Sequence, residues 1–122
     1  MSLEKTAKFL INCQDGANNV ERATISLILA VSASKTAEAV MFLTADAAQL
    51  CVQGGAETIK AEGYEAAGDL LRDFLTNGGK IWLCPACAKA KGIQASDLVN
   101  GAEIAGAPKV MAFLESGGHL LK

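Results

Sequence analysis

The chain has 122 residues, of which 51% are hydrophobic, 20% are charged and only 5% are aromatic. This length suits one domain with its own core, and residues 1–122 contain no linker, repeat or low-complexity segment, so we expect a single domain. The formal net charge is −2 and the 11 basic residues are scattered. That distribution argues against nucleic-acid binding, because phosphate recognition needs clustered positive charge.

Apolar patterning also argues against a membrane or secreted protein. The opening segment Met1–Lys8 contains charged residues and no apolar core of a secretory signal. The longest apolar runs are much shorter than the roughly 20 residues that span a bilayer. We therefore expect a cytoplasmic protein that does not bind membranes.

The first half of the chain alternates between short apolar runs and segments of helical periodicity. The predicted elements are a buried strand over 7–13, an amphipathic helix over about 19–34, a second buried strand over 39–43, a short helix over 44–52, and a surface excursion without a clear signal over 56–64. Turn residues at Gln14, Asp15 and Gly16 end the first strand, and Gly54 with Gly55 stops the short helix. Asn18 or Asn19 can cap the amphipathic helix.

The second half continues the same alternation. We predict a helix with an apolar stripe over 67–74, a strand over 80–83, a short helix ending near Lys91, a turn at 96–99, a brief strand at 103–104, a helix opened by Pro108, and an edge strand over 119–121. Strands that alternate with helices indicate a parallel sheet covered on both faces.

The four cysteines are the side chains with the most obvious chemistry: Cys13, Cys51, Cys84 and Cys87. A disulfide framework is not expected in a cytoplasmic chain, where thiols stay reduced. A close pair of cysteines is more often redox-active, metal-binding or catalytic. The candidate functional site is therefore Cys84-Pro-Ala-Cys87, which comes directly after the predicted strand 80–83.

Cys84 is expected to cap a helix, because Pro85 is acceptable within a helix only in its first turn. Unpaired backbone N–H groups and the helix dipole favour a thiolate there, and Lys89 and Lys91 add positive charge. Cys84 is thus the predicted nucleophile, and Cys87 is its resolving partner. Cys13 also ends a strand, and it would share one edge of the sheet with Cys84 if the first and third strands were neighbours.

Several alternatives remain for these residues. Cys84 and Cys87 could be small, inert, buried side chains. A structural zinc site usually has four ligands in two close pairs, whereas Cys13, Cys51 and His119 are isolated in sequence, so no metal is assigned. We expect Cys13 and Cys51 to be packed and His119 to lie at the surface or an interface. Because no phosphate-binding glycine pattern follows a strand, no nucleotide or other cofactor is assigned.

A thioredoxin-like fold is the first comparison that a Cys-x-x-Cys motif invites. Trp82 precedes the motif, and Gly106-Ala-Pro108 could imitate the proline turn of that fold. Only about twenty residues separate Cys87 from Pro108, which is too few for the helix, strand and second helix that thioredoxin places there. The thioredoxin fold is therefore rejected, although a redox function stays open.

The order of elements resembles the DsrE/DsrF-like family, which includes the sulfur-relay subunit TusD. The resemblance rests on Lys80–Ile93, where a cysteine leaves a strand and a glycine follows eight positions later, as Cys84 and Gly92 do. The segments Asp97–Ala102 and Gly106–Pro108 and the early Asp15-Gly16 turn also fit, so the likeness covers nearly the whole chain.

This resemblance implies a three-layer α/β/α sandwich on a mainly parallel five-stranded sheet, assembled as a homotrimer or homohexamer. It also implies that Cys84 accepts sulfur as a persulfide from a donor protein and passes it to an acceptor protein. Cys87 is not constant among relay subunits, so it either resolves the persulfide or forms a redox pair with Cys84.

The function hypothesis is sulfur handling. A dithiol redox protein and a non-catalytic oligomeric binding protein are the alternatives. Whether the chain is an enzyme stays open.

Overall fold

The computed structural model describes residues 7–121, which form one five-stranded sheet in which all neighbouring strands are parallel. The strands are β1 (Lys8–Cys13), β2 (Glu38–Leu43), β3 (Lys80–Leu83), β4 (Ala102–Ile104) and β5 (His119–Leu121). Their order across the sheet is β4-β3-β2-β1-β5. The expected α/β fold class is confirmed, because helices connect the strands and cover the sheet.

Four α-helices lie within the same residues: α1 (Val20–Thr36), α2 (Ala67–Thr76), α3 (Pro85–Ala90) and α4 (Ala107–Glu115). Helix α1 begins where the sequence suggested a cap, because the Asn19 side chain accepts a hydrogen bond from the backbone N–H of Arg22. The short helix expected over 44–52 forms as a 3-10 helix over Ala45–Cys51. Further 3-10 turns occupy Ala17–Asn19, Ala56–Thr58 and Ala95–Asp97.

The two faces of the sheet are covered unequally. Helices α1 and α2 cover one face and close the larger core, in which Leu27, Ile11 and Phe74 are fully buried. The other face has a smaller core around Leu10 and Trp82, packed against α4. This arrangement gives the three layers of an α/β/α sandwich, with most of the apolar burial on the α1 and α2 side.

Residues 56–64 are a correction to the expected surface excursion. Ile59 is completely buried in the larger core, and Ala61 is 4% exposed. The backbone carbonyl of Ile59 accepts a hydrogen bond of 3.0 Å from the N–H of Ala67, where α2 begins. The segment therefore packs inward and positions the start of α2. Its isolated apolar residues have no periodicity, which is why the sequence pattern did not reveal their burial.

The strand order answers the question about the carboxyl edge of the sheet, meaning the edge at which the strands end. Strand β2 lies between β1 and β3, so the two strands that lead to Cys13 and Cys84 are not neighbours. In register, Cys13 pairs with Leu43, and Leu43 pairs with Leu83. The two cysteines consequently share the carboxyl edge but are separated by the end of β2.

The structure tests only in part the expectations that the chain has no secretory signal and no membrane span. Most of Met1–Lys8, the segment used to argue against a secretory signal, lies outside the described residues. Within residues 7–121, no helix is both long enough and apolar enough to cross a membrane.

Candidate functional site

Cys84 is the first residue after β3 and the cap of α3. Its backbone N–H donates a 3.0 Å hydrogen bond to the carbonyl of Leu43, which continues the pairing of β3 with β2. Its own carbonyl accepts a 3.0 Å hydrogen bond from the N–H of Ala88, which is the first bond of the helix. Pro85 occupies the first turn, as expected, where its missing N–H leaves no donor unsatisfied. The strand and the helix thus fix the backbone of Cys84 from both sides.

The environment of the Cys84 sulfur favours its thiolate. The pKa of Cys84 is lowered, mainly because the backbone N–H of Cys87 donates a hydrogen bond to the sulfur. Partial burial acts in the opposite direction and raises the pKa. The Cys87 side chain and the N–H of Ala86 contribute further hydrogen bonds that lower it. Because the thiolate is the nucleophilic form of cysteine, Cys84 is suited to attack electrophilic sulfur or carbon.

Cys87 lies one helical turn after Cys84, and both side chains are half-buried and free of disulfide bonds. The two side chains hydrogen-bond each other. The sulfur of Cys87 also accepts a hydrogen bond from the backbone N–H of Ala45, with an N to Sγ distance of 3.3 Å. The second cysteine therefore contacts both the first cysteine and the loop that follows β2.

The loop after β2 is held close to the start of α3. The N–H of Thr44 donates to the carbonyl of Cys13 at 3.1 Å, which extends the pairing of β2 with β1. The Asp46 carboxylate lies 3.9 Å from the ammonium nitrogen of Lys91, near the end of α3. Both side chains of this ion pair are partly exposed, so it contributes little to stability. The lowered pKa of Cys84 has hydrogen bonds as its causes, and neither Lys89 nor Lys91, the cations expected to act on it, is among them.

Two glycines permit close approaches around this loop and helix. A Cβ atom on Gly16 would clash with the backbone carbonyl of Asp46, so only glycine lets the turn after β1 approach the loop after β2. A Cβ atom on Gly106 would lie 3.1 Å from Cδ of Pro85. The start of α4 therefore packs tightly against the residue that follows Cys84.

The other two cysteines lie outside this site. Cys13 is 1% exposed, its sulfur lies 3.5 Å from the carbonyl oxygen of Asp15, and burial raises its pKa. Cys51 is completely buried, and burial raises its pKa to about 11. Both are packed side chains, as the sequence indicated, and neither is suited to ionise near neutral pH.

His119 and Trp82 make aromatic contacts elsewhere in the molecule. His119 is exposed on the edge strand β5, where its ring lies 5.6 Å from that of Phe9. Trp82 is 5% exposed and packs edge-on against Phe113. Among residues 7–121, no three histidine, cysteine or acidic side chains cluster in a way that could hold a metal ion.

A cavity of about 630 Å³ lies between α2 and the turn before β4, and Cys84 and Cys87 are not among its lining residues. Its apolar walls include Leu71, Leu75 and Val99, and Arg72 and Glu57 lie at its border. The cavity is therefore a feature separate from the cysteine site.

Ala45 and Gly106 are the site residues that sequence reasoning missed. Ala45 has a positive φ of 51°, a conformation that alanine rarely adopts. No pattern in the surrounding sequence predicts it. Gly106 was noted as part of a possible proline turn and of a segment that carries the family resemblance, without a contact assigned to it. Its role depends on contact with Pro85, and a single sequence contains no signal for that contact.

Comparison with known proteins places this geometry in a family. The model of the DsrE/DsrF-like family matches residues 7–122. The chain belongs to the DsrE/DsrF-like family. The chain is also 36% identical, over 107 residues, to the uncharacterized protein MJ0760 of Methanocaldococcus jannaschii. That match covers 87% of this chain but only 38% of MJ0760, so the chain spans about two-fifths of the length of this relative.

Two solved structures share the fold. The ychN protein of E. coli superposes with a TM-score of 0.77 at 21% identity, covering 95% of this chain and 100% of ychN. MTH1491 of Methanobacterium thermoautotrophicum, a protein of unknown function, superposes with a TM-score of 0.65 at 12% identity, covering 94% of this chain and 97% of MTH1491. At these identities the likeness establishes the architecture, and any function must be argued from the site.

Proposed function

We propose that this DsrE/DsrF-like chain handles sulfur and that Cys84 is the residue that binds it, as a persulfide. The observation that supports this most directly is the half-buried Cys84 sulfur, which accepts a hydrogen bond from the N–H of Cys87 and has a lowered pKa. Membership of the family supports a sulfur-related role. A thiolate that is both nucleophilic and partly shielded suits the temporary storage of a reactive sulfur atom.

The loading step is a thiol-persulfide exchange. The Cys84 thiolate attacks the outer sulfur of a persulfide on a donor protein. A new S–S bond forms at Cys84, the S–S bond of the donor breaks, and the donor cysteine leaves as a thiolate. The terminal sulfur on Cys84 then carries the negative charge. Backbone N–H groups at the start of α3 are positioned to stabilise that charge, as they stabilise the Cys84 thiolate.

Cys87 is the proposed resolving thiol. Its side chain hydrogen-bonds Cys84, so it can reach the inner sulfur of a Cys84 persulfide. Attack by the Cys87 thiolate on that inner sulfur would form a Cys84–Cys87 disulfide and release the outer sulfur as hydrosulfide. The cysteine pair would lose two electrons in this step, and the released sulfur would gain them. A thiol reductant would then restore the pair.

Contact between the two cysteines also supports a second candidate, a dithiol redox protein. In that function Cys84 and Cys87 would exchange electrons with substrate disulfides without ever holding an extra sulfur atom. The two candidates differ in one product. Only sulfur handling yields a Cys84 adduct that is heavier by one sulfur atom.

The test is to incubate the reduced protein with a persulfide donor and to map sulfur adducts by mass spectrometry. We expect an adduct on Cys84 that is lost in Cys84→Ser. In the matched variant Cys87→Ser, the adduct should persist longer, because the resolving thiol is gone. Absence of an adduct from the wild-type protein, or an equal adduct on Cys84→Ser, would refute sulfur handling. A reversible Cys84–Cys87 disulfide without an adduct would instead support the redox function.

We also propose that the chain assembles as a homotrimer or homohexamer in the cytoplasm, with separate sulfur donor and acceptor proteins as partners. Assembly is supported by Ile25, Ile28 and Leu29, which are 42%, 40% and 39% exposed. Their spacing places them on one face of α1, where apolar side chains gain from contact with another subunit. Light scattering of the purified chain should give a mass of three or six protomers, and a monomer would refute the proposal.

A further inference from the structure

Ala45 has an unusual backbone for its residue type. Its φ is 51°, and all the other positive φ values among residues 7–121 belong to glycines. The left-handed conformation is unfavourable for alanine because of its Cβ atom, so surrounding structure must enforce it. Such positions are common at functional sites.

The segment around Ala45 is held on both sides. On one side, the N–H of Thr44 donates to the carbonyl of Cys13 at 3.1 Å; on the other, the N–H of Ala47 donates to the carbonyl of Thr44 at 3.0 Å. The backbone between these bonds places the N–H of Ala45 3.3 Å from the sulfur of Cys87. The strained residue and the cysteine pair are therefore joined directly.

The reduced cysteine pair forms a chain of hydrogen bonds. The N–H of Ala45 donates to the Cys87 sulfur, and a hydrogen bond from the Cys87 side chain to the Cys84 sulfur lowers the pKa of Cys84. Hydrogen bonds in a chain polarise and strengthen one another. A Cys84–Cys87 disulfide would abolish the S–H donor and leave a sulfur that is a poorer acceptor. The chain consequently stabilises the reduced pair relative to the disulfide.

We propose that Ala45 is a positioning residue, whose N–H holds the Cys87 sulfur in the reduced state and so opposes formation of the Cys84–Cys87 disulfide. The effect on the dithiol–disulfide equilibrium is independent of any sulfur cargo. Its biological meaning rests on the proposed sulfur-handling function. There, it favours transfer of the outer sulfur of a Cys84 persulfide to an acceptor over its release as hydrosulfide, because release requires the disulfide.

The direct test replaces the amide between Thr44 and Ala45 by an ester, which removes the N–H and keeps the side chains. Cys51 allows assembly of the full chain by native ligation of a synthetic 1–50 thioester to residues 51–122. The assembled, refolded protein is equilibrated with mixtures of reduced and oxidised glutathione. Oxidised glutathione accepts the two electrons, and two glutathione thiols form for each Cys84–Cys87 disulfide.

We expect the ester to raise the equilibrium constant for the disulfide about tenfold, which corresponds to a reduction potential lower by about 30 mV. The matched control is an ester at Ala37, the residue that follows α1. Its N–H donates a 2.8 Å hydrogen bond to the carbonyl of Ala33 at the carboxyl end of that helix. This control lies in the same synthetic segment and removes an ordinary backbone bond far from the cysteines. A shift under twofold at Ala45, or an equal shift for both esters, would overturn the proposal.

A second measurement does not depend on the ester protein folding. Hydrogen exchange of the Ala45 amide is followed by NMR in the wild type, in Cys87→Ala and in Cys84→Ala. We expect exchange at least threefold faster in Cys87→Ala, where the acceptor is gone, than in Cys84→Ala, where it remains. Equal exchange in the two variants would overturn the proposal.

The persulfide assay separates this proposal from the proposed function. A tenfold ester effect in a protein that forms no Cys84 adduct would support the role of Ala45 and refute sulfur handling. An adduct on Cys84 with no ester effect would support sulfur handling and overturn the role of Ala45.

Discussion

Two cysteines at the carboxyl edge of the sheet, the buried Cys13 and the helix-capping Cys84, have pKa values that are shifted in opposite directions. Cys13 and Cys84 both lie at the carboxyl end of a strand, yet burial raises the pKa of Cys13, while hydrogen bonds from backbone N–H groups lower that of Cys84. Helix α3 begins immediately after Cys84 and supplies those donors. After Cys13 a turn through Gly16 comes before any helix. A strand end is therefore insufficient for a reactive thiol, and an adjacent helix start makes the difference.

The largest expected effect is in reaction rate. At pH 7.5, iodoacetamide should modify Cys84 at least about a hundredfold faster than Cys13 or Cys51, because the buried thiols stay protonated and react only when the protein opens. Timed alkylation with peptide mapping measures all the cysteines at once. As pH is lowered, the alkylation rate of Cys84 should begin to fall at a lower pH than that of an ordinary cysteine, because the pKa of Cys84 is lowered.

Urea-unfolded protein is the control for this contrast, since the rates should converge once burial and the α3 hydrogen bonds are lost. Rates for Cys13 and Cys84 that already agree in the folded protein would contradict the distinction between a buried thiol and a helix-capping thiol.

The next largest effect concerns stability at alkaline pH. Burial raises the pKa of Cys51 to about 11, so the unfolded chain releases this proton at lower pH than the folded one. The contribution of the protonated Cys51 thiol to the unfolding free energy is fully present below the ordinary cysteine pKa of 9.0. It is lost as pH rises through about 11. By pH 11 the wild type should lose about 2 kcal/mol more unfolding free energy than Cys51→Ala does.

Urea unfolding at pH 8 and pH 11 measures this difference, and the paired variant cancels the titration of lysines and tyrosine. Parallel losses in the two proteins would mean that the Cys51 thiol ionises as easily in the folded state as in the unfolded state.

The smallest effect is in packing at neutral pH. Cys51→Ala should reduce the unfolding free energy by about 1–2 kcal/mol, because it leaves a void in a fully buried position. Cys87→Ala removes a half-buried side chain and its hydrogen bonds with Ala45 and Cys84. Because hydrogen bonds to sulfur are weak, we expect a loss of about 0.5 kcal/mol or less. Urea titrations at pH 7 compare the two, and a larger loss for Cys87→Ala would show that the edge cysteine is mainly structural.

Much of the architecture was predictable because its signals are local. The apolar run before Cys13 and the run before Cys84 each predicted a strand, and the pair Asn18 and Asn19 predicted the start of α1, which Asn19 caps. Pro85 located the start of α3, since proline fits a helix only in its first turn. The capped position of Cys84, at the junction of β3 and α3, was therefore available from the sequence.

Other features depend on contacts between distant residues. Ile59 is buried only because its segment packs under the start of α2, and β2 separates β1 from β3 only because of the strand order. The hydrogen bond from Ala45 to Cys87 joins residues 42 positions apart. The surrounding sequence predicts neither the positive φ of Ala45 nor the hydrogen bond that its N–H donates.

The sequence by itself determined the alternation of strands and helices, and it determined which cysteine caps a helix. Both follow from hydrophobic periodicity and from the backbone limits of proline, which act over a few residues. Tertiary structure decided that β2 separates Cys13 from Cys84 and which thiol contacts the loop after β2. Those properties arise when strands and loops from distant parts of the chain pack together, because burial and hydrogen-bond partners depend on the final positions of neighbouring segments.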